Sequence, residues 1–365
     1  MASPQPLAGL EKIAPYVAGE SEITGVERVI KLAANEGAFG PSPKTLEAVN
    51  AIGSDFHRYP DGDCSELRDL LAEKNNLPKE NLICGAGSDE LINLLCRSYA
   101  GPGDEILYPA HGFAMYPIYG LTVGASIVAA PENGITVDVD QILAHVTEKT
   151  KLLFIANPNN PTGTYIPTSE VSRLIDGVPD EVLLVLDSAY AEFVEVDDYS
   201  DSSEFVSTND NVVMLRTFSK IYGMGGIRLG WGYAPDAVID ILNRMRSPFN
   251  VSYPAIVAGV AAIQDDEFLK KSQEHNKKWL AWTTENIRAL DLEVPDSVCN
   301  FILVRFPEDQ GKNATAESAD VFLKSKGIIV RRMGGYGLPD ALRISIGLED
   351  EMKFVVETLA EFVSN

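Results

Sequence analysis

The sequence is short of positive charge. Of 365 residues, 30 are Lys or Arg against 53 Asp or Glu, a formal net charge of −23 at pH 7. Such a surface repels phosphate backbones and anionic lipid heads, so nucleic-acid and peripheral membrane partners are disfavoured. An anionic small substrate stays compatible, because a few buried arginines reverse the field locally. Cysteine and histidine are also scarce, four of each. Cys64, Cys84, Cys96 and Cys299 show no CxxC spacing, and without a secretory signal they read as buried thiols of a reducing cytoplasm. His57, His111, His145 and His275 form no pair with metal-ligand spacing, so no metal site is expected. Long apolar runs are missing too. The longest, Ala255–Ile263, is nine residues and contains Gly259, where a spanning helix needs about 20. The opening Met1-Ala2-Ser3-Pro4-Gln5-Pro6 has no basic region and no apolar stretch, so no signal peptide is expected.

What remains is the composition of an ordinary folded protein, 45% apolar and 23% charged. The length suggests about two domains. Three apolar runs, Leu152–Ala156, Val182–Leu186 and Val212–Leu215, start 30 residues apart each time. Continuous runs of this length predict strands buried on both faces. Their period predicts successive strand–helix units with right-handed crossovers. Leu82–Cys84 and Glu105–Tyr108 read as further strands. Between them Ser88–Leu95 reads as a helix capped by Ser88, with acidic residues in its first turn. Near the C-terminus, Phe301–Arg305 and Leu342–Ile346 nearly alternate, the pattern of strands with one wet face. Met352, Val355, Val356, Leu359, Phe362 and Val363 mark an amphipathic closing helix. The expected division is an arm over 1–35, a large α/β domain over 36–247 and a smaller α+β domain over 248–365.

In an open α/β sheet the binding crevice lies at the carboxyl ends of the strands. The polar residues just past each strand are therefore the informative ones. They are Gly85-Ala86-Gly87-Ser88-Asp89, Asn157-Pro158-Asn159-Asn160-Pro161-Thr162-Gly163, Asp187-Ser188-Ala189-Tyr190, and Arg216-Thr217-Phe218-Ser219-Lys220 with Arg228 beyond. Each alone has a plain reading: a helix start with Glu90 breaking any GxGxxG, a turn, a helix cap, a surface lysine. Their order along one sheet edge is less ordinary.

That order resembles the fold-type I pyridoxal-phosphate enzymes, specifically the class-II aminotransferases and their histidinol-phosphate group. The resemblance runs over essentially the whole chain. It includes Lys31-Leu32-Ala33-Ala34-Asn35-Glu36 with Gly40-Pro41-Ser42-Pro43, Arg58-Tyr59-Pro60-Asp61-Gly62, Asn159–Gly163, Thr217–Gly223 and Leu342–Gly347. It implies a large domain with a mostly parallel seven-stranded sheet flanked by helices, plus a smaller α+β domain. It also implies pyridoxal 5′-phosphate, held through a Schiff base to Lys220, whose free amine then moves a proton. Asp187 matches the carboxylate that keeps the cofactor ring nitrogen protonated. Asn160 and Tyr190 match the groups on the 3′-oxygen, and Phe113 matches the stacking ring. Gly87, Ser88 and Asp89 match a helix-start phosphate turn, with Thr217, Ser219 and Arg228 as side-chain donors. Tyr59 matches a tyrosine that reaches the phosphate from a neighbouring subunit, which implies a homodimer with shared sites.

Substrate residues follow by the same resemblance. Arg343 points opposite to Leu342 and Ile344, since side chains alternate along a strand, and matches the arginine that holds the substrate's anionic end. Arg331 matches a second anion-binding arginine, with Arg332 beside it leaving the register open. Tyr16 and Asn35 match arm residues that close over the substrate. The expected reaction is amino transfer from L-histidinol phosphate to 2-oxoglutarate, by a cytoplasmic enzyme. The alternatives are an aromatic (phenylalanine/tyrosine) aminotransferase and a threonine-phosphate decarboxylase. Two features depart from the pattern: Asn35-Glu36-Gly37-Ala38 replaces Asn-Glu-Asn-Pro, and the Met333–Pro339 loop is glycine-rich. Both are expected near the substrate's side chain.

Overall fold

The strand runs assemble as their apolar length predicts. A computed structural model describes residues 4–6, 9–14, 23, 25, 26, 28–306 and 315–364; Tyr16 lies outside them. The central sheet contains β2 (Leu82–Gly85), β3 (Glu105–Pro109), β4 (Ser126–Ala130), β5 (Thr150–Ala156), β6 (Leu183–Asp187), β7 (Val212–Thr217) and β8 (Gly230–Tyr233). Their order is β2-β8-β7-β6-β5-β3-β4. Only β8 runs antiparallel to its neighbours. Alternate residues feed two separate cores. Leu153, Ile155, Leu184, Leu186 and Met214 pack into one; Leu152, Phe154, Val185, Val213 and Leu215 pack into the other. Burial on both faces is why these strands carry unbroken apolar runs.

Two strands lack that signature. β4 is a half-exposed edge strand. β8 reads Gly-Trp-Gly-Tyr, and a Cβ on Gly230 would stand 2.3 Å from the backbone N of Ser88. Its glycine is a clearance for the neighbouring helix start, not a loop signal. That helix spans Ser88–Tyr99, and its cap is Gly87 at φ +83° rather than Ser88. No side chain caps it, so its first N–H groups stay open toward the sheet edge.

A third core belongs to the C-terminal part. β9 (Phe301–Arg305), β11 (Arg331–Arg332) and β12 (Ala341–Ser345) form an antiparallel sheet in the order β11-β12-β9. Ile302, Val304, Leu342 and Ile344 pack there against Trp279 and Ile287 of the helix Asp266–Arg288 and Met352, Val355 and Leu359 of the closing helix Glu349–Ser364. The expected wet face is absent. β12 is buried throughout and β9 over its first four residues, because the second face is covered too: Leu303 and Ala341 pack with Met333 and Leu338, and Phe301 packs with Tyr190 and Cys299. The arm ends inside this core: β1 (Ile30–Lys31) pairs in parallel with β10 (Ile328–Ile329), and Ile30 and Leu32 are buried in it.

The helix Tyr253–Ile263 lies beyond the expected boundary at 247/248, yet Ala255, Ile256, Ala258, Ala262 and Ile263 join the large-domain core. Leu269 of the following helix packs against the same core. Among the described residues no helix is long and apolar enough to cross a membrane, and no group of three or more His, Cys, Asp or Glu could hold a metal ion.

Candidate active site

The carboxyl ends of β2, β5, β6 and β7 converge on one cavity of about 240 Å³. Its walls include Ser88 and Asp89 at the helix start, Phe113, Asn160, Asp187, Tyr190, Thr217, Ser219, Lys220 and Arg228. Ten residues named from the sequence are thus brought together. Gly87 adjoins the cavity, and a Cβ there would lie 2.6 Å from Arg228 Nη2. Only glycine lets the arginine approach this turn, whose φ also favours glycine. Arg228 Nη2 donates to Asp89 Oδ2 at 3.1 Å and Nη1 to the Gly225 carbonyl at 2.9 Å. Thr217 Oγ1 donates to Ser219 Oγ at 3.0 Å. Open helix N–H groups, two hydroxyls and a guanidinium make an anion cradle.

Asp187 closes β6 and is buried. Tyr116 Oη donates to its Oδ2 at 2.8 Å, while Oδ1 is buried with no partner. Burial pushes the carboxyl up to about 6, against the hydrogen bond from Tyr116. Phe113 packs edge-on to Tyr116 with ring centroids 5.6 Å apart. Lys220 Nζ donates to the Ala34 carbonyl at 3.3 Å and lies 5.7 Å from the Tyr190 ring centroid. Burial, then the positive field of Arg343, lowers its amine to about 8. An amine poised near neutrality is what nucleophilic and proton-transfer chemistry requires.

Ala34 and Glu36 close the cavity from the N-terminal side, and behind Asn160 and Tyr190 stand buried residues of the C-terminal part and the arm. Arg343 is 6% exposed. Its Nη1 donates to Asn160 Oδ1 at 2.5 Å and its Nη2 to the Ala33 carbonyl at 2.8 Å, while its Nε has no partner. Asn35 takes φ +55°. Its Nδ2 donates to Tyr190 Oη at 2.8 Å, and its backbone N–H donates to Ser345 Oγ at 2.8 Å. Asn300 Nδ2 donates to the Asn35 carbonyl at 3.1 Å. Burial raises the Tyr190 phenol, so it stays a neutral donor. Arg331 lies directly opposite Arg343 in the β11–β12 pair, so the two side chains share a face. Arg332 points away and pairs with Glu317 at 2.8 Å. Tyr59 stands outside the cavity, 82% exposed and stacked on Phe249.

The departure at Gly37 has a backbone cause. A Cβ there would lie 2.7 Å from the Lys220 carbonyl and 3.0 Å from Gly223 Cα. Gly37 fits the arm against the loop that carries Lys220. Sequence reasoning missed Tyr116, Ser345 and Asn300, and gave Glu36, a cavity-wall residue, no role. Glu36 and Ser345 sit inside motifs already singled out; Tyr116 and Asn300 reach their partners only through the fold.

This set fits pyridoxal phosphate. An unpartnered, buried carboxylate oxygen suits a protonated ring nitrogen, the cradle suits a phosphate, and the lowered amine suits an aldehyde. A family profile described as aminotransferase class I and II matches residues 27–359. Similar curated proteins are the histidinol-phosphate aminotransferase of Paramagnetospirillum magneticum, 55% identical and covering 100% of this chain and 99% of the relative, and that of Rhodospirillum rubrum, 52% identical and covering 99% and 97%. A solved histidinol-phosphate aminotransferase from Sinorhizobium meliloti, in complex with pyridoxal-5′-phosphate, is similar with TM-score 0.88 and 26% identity, covering 100% of this chain and 99% of that one. An L-threonine-O-3-phosphate decarboxylase from Porphyromonas gingivalis shares the fold, with TM-score 0.79, 20% identity and coverage of 92% and 100%.

Proposed function

The chain belongs to the class I and II aminotransferases, and from that premise we propose the substrate pair and the residue roles. It is a pyridoxal-phosphate-dependent transaminase. Its reaction carries the amino group of L-histidinol phosphate to 2-oxoglutarate, giving imidazole acetol phosphate and L-glutamate in histidine biosynthesis. The observation that carries the substrate is full-length identity of 55% and 52% to relatives bearing that name.

When bound, the cofactor supplies an electron sink for the bond broken at the substrate's amino-bearing carbon. The chain's own residues do the rest. Lys220 Nζ, lowered to about 8, would take the proton from that carbon and deliver it to the cofactor carbon that receives the amino group. Asp187 Oδ1 holds the proton on the ring nitrogen. Asn160 and Tyr190 hold the 3′-oxygen, and Tyr190 is fixed in turn by Asn35. The Gly87–Asp89 turn, Thr217, Ser219 and Arg228 hold the phosphate, and Phe113 covers the ring. Arg343 and Arg331 bind the anionic end of each substrate. Burial of Arg343 and Asp187 excludes water and strengthens both interactions.

Two further parts belong to the same proposal. Tyr59 is exposed and outside its own chain's cavity, which suits a two-fold dimer in which it reaches the partner's phosphate cradle. The enzyme works in the cytoplasm.

The test is a single-turnover titration of cofactor-loaded protein with L-histidinol phosphate and, in parallel, L-phenylalanine. Conversion of the cofactor absorbance by histidinol phosphate at far lower concentration is the expected result. Preference for phenylalanine would overturn the substrate and leave the transaminase.

A further inference from the structure

Tyr116 is a wholly buried tyrosine behind the cavity wall, touching Phe113 and Asp187 of that wall. Its ring lies 4.7 Å from that of Phe154 in β5, nearly parallel at 8°. Its hydroxyl reaches across the sheet edge to Asp187, and only one carboxylate oxygen is occupied. We propose that Tyr116 is a positioning residue: by donating to Asp187 Oδ2 it keeps the carboxylate ionised and turns the unpartnered Oδ1 toward the cofactor's ring nitrogen. This rests on the pyridoxal-phosphate reading.

The geometry argues for this role over packing alone. Asp187 already has its strand partners, and its carbonyl accepts from Asn157 N–H at 3.0 Å. The Ala189 N–H also faces the carboxylate, and Tyr116 supplies its side-chain donor. A buried carboxylate stripped of its side-chain donor takes up a proton more readily, and a protonated Asp187 could no longer hold a proton on the ring nitrogen. Burial and the charge of Asp187 hold the Tyr116 phenol well above its usual range, so it remains a donor throughout the working pH. The other groups facing Asp187 are Asp89 from the helix Ser88–Tyr99, Lys220 from the loop after β7, and Tyr190 from its own loop. Asp89 opposes ionisation and Lys220 favours it; neither bonds the carboxylate.

Tyr116→Phe removes the hydroxyl and keeps the ring. Cofactor-free protein should take up pyridoxal phosphate about tenfold to a hundredfold more weakly. In protein loaded with ring-¹⁵N cofactor, the nitrogen resonance should move toward the unprotonated value. kcat should fall with little change in KM. Phe154→Leu loosens the same ring stack without touching the hydroxyl, and should leave the ¹⁵N resonance in place. A Tyr116→Phe protein with wild-type affinity and resonance overturns the proposal. So does an equal resonance shift in Phe154→Leu, which would make Tyr116 a packing residue. A wild-type chain that takes up no pyridoxal phosphate overturns the parent reading and this inference with it.

Discussion

In the seven-stranded sheet the reactive residues sit past the last apolar residue of each strand. Asp187 closes β6, Thr217 closes β7 with Lys220 three residues on, and Asn160 follows β5. In the three-stranded sheet they sit inside the strand, where Arg343 and Ser345 flank Ile344 of β12. The first arrangement aims side chains along the strand direction, out of the sheet edge. The second aims them perpendicular to the sheet, from one face. The two also differ in what they leave open. The large-domain wall leaves Asp187 Oδ1 with no partner, whereas Arg343 on the small-domain wall has two of its nitrogens bonded within the chain and only Nε free. On the proposed roles, strand ends carry the chemistry and strand faces carry recognition, so changes on the two walls should separate in their kinetics.

The largest effect should come from the strand-end side. Lys220→Ala should cut kcat by at least about 10³-fold, since it removes the proton-transferring amine. Single-turnover spectra with a saturating amino donor measure this; wild-type rates would break the assignment of chemistry to that wall. Asp187→Asn should slow turnover by orders of magnitude and at the same time stabilise the cofactor-free protein. Burial raises the folded carboxyl from 3.8 to about 6. The native chain thus holds this proton more tightly than the unfolded one. The stability it contributes is full below about pH 4 and is lost as pH rises through 6. At pH 7.5 the asparagine should therefore gain up to about 3 kcal/mol over wild type, and near pH 4 almost nothing. Urea denaturation of the cofactor-free proteins at the two pH values measures the difference. An equal gain at both would mean packing, not charge, sets it. Lys220 bears on the same curve from the other side. Its amine is depressed to about 8, so the stability it contributes is present above about 10.5 and is lost as pH falls through 8.

How much of this was legible depended on how local the signal was. Leu152–Ala156, Val182–Leu186 and Val212–Leu215 were readable as strands because burial on both faces leaves no polar residue to interrupt the run. Their polar successors were readable as a site because every such strand must end at the same edge. β8 was not readable, because Gly230 and Gly232 answer to the approach of Ser88 and Leu215 rather than to strand propensity. Ala255–Ile263 is too short to span a membrane, but its near-uniform apolarity is the mark of a helix buried between others, and it packs in the large-domain core. The alternation at β9 and β12 predicts a water-facing side. Period two reports only that two faces differ, and here the second is covered too. Tyr116 lies 71 residues from Asp187, and nothing in either neighbourhood signals the pairing. Long-range polar partners of this kind appear only once the sheet order is known.

The smallest predicted effect tests the strand-face side. Arg331 and Arg332 are adjacent and identical in chemistry, so only register separates them. With Arg331 opposite Arg343 and Arg332 opposite Leu342, alternation puts Arg331 on the Arg343 face and Arg332 on the other. Arg332 pairs with Glu317, and both side chains are largely in solvent, 48% and 68% exposed. Such a pair contributes about 0–1 kcal/mol. Arg331→Ala should raise KM for both anionic substrates about tenfold with kcat less changed, the signature of lost binding shared by ground and transition states. Arg332→Ala should keep both constants within about twofold, since its ion pair is a surface one. Steady-state kinetics with each substrate varied in turn separates the two. The reverse result would mean that β11 is slipped by one residue, because such a slip exchanges the faces of every side chain in the strand.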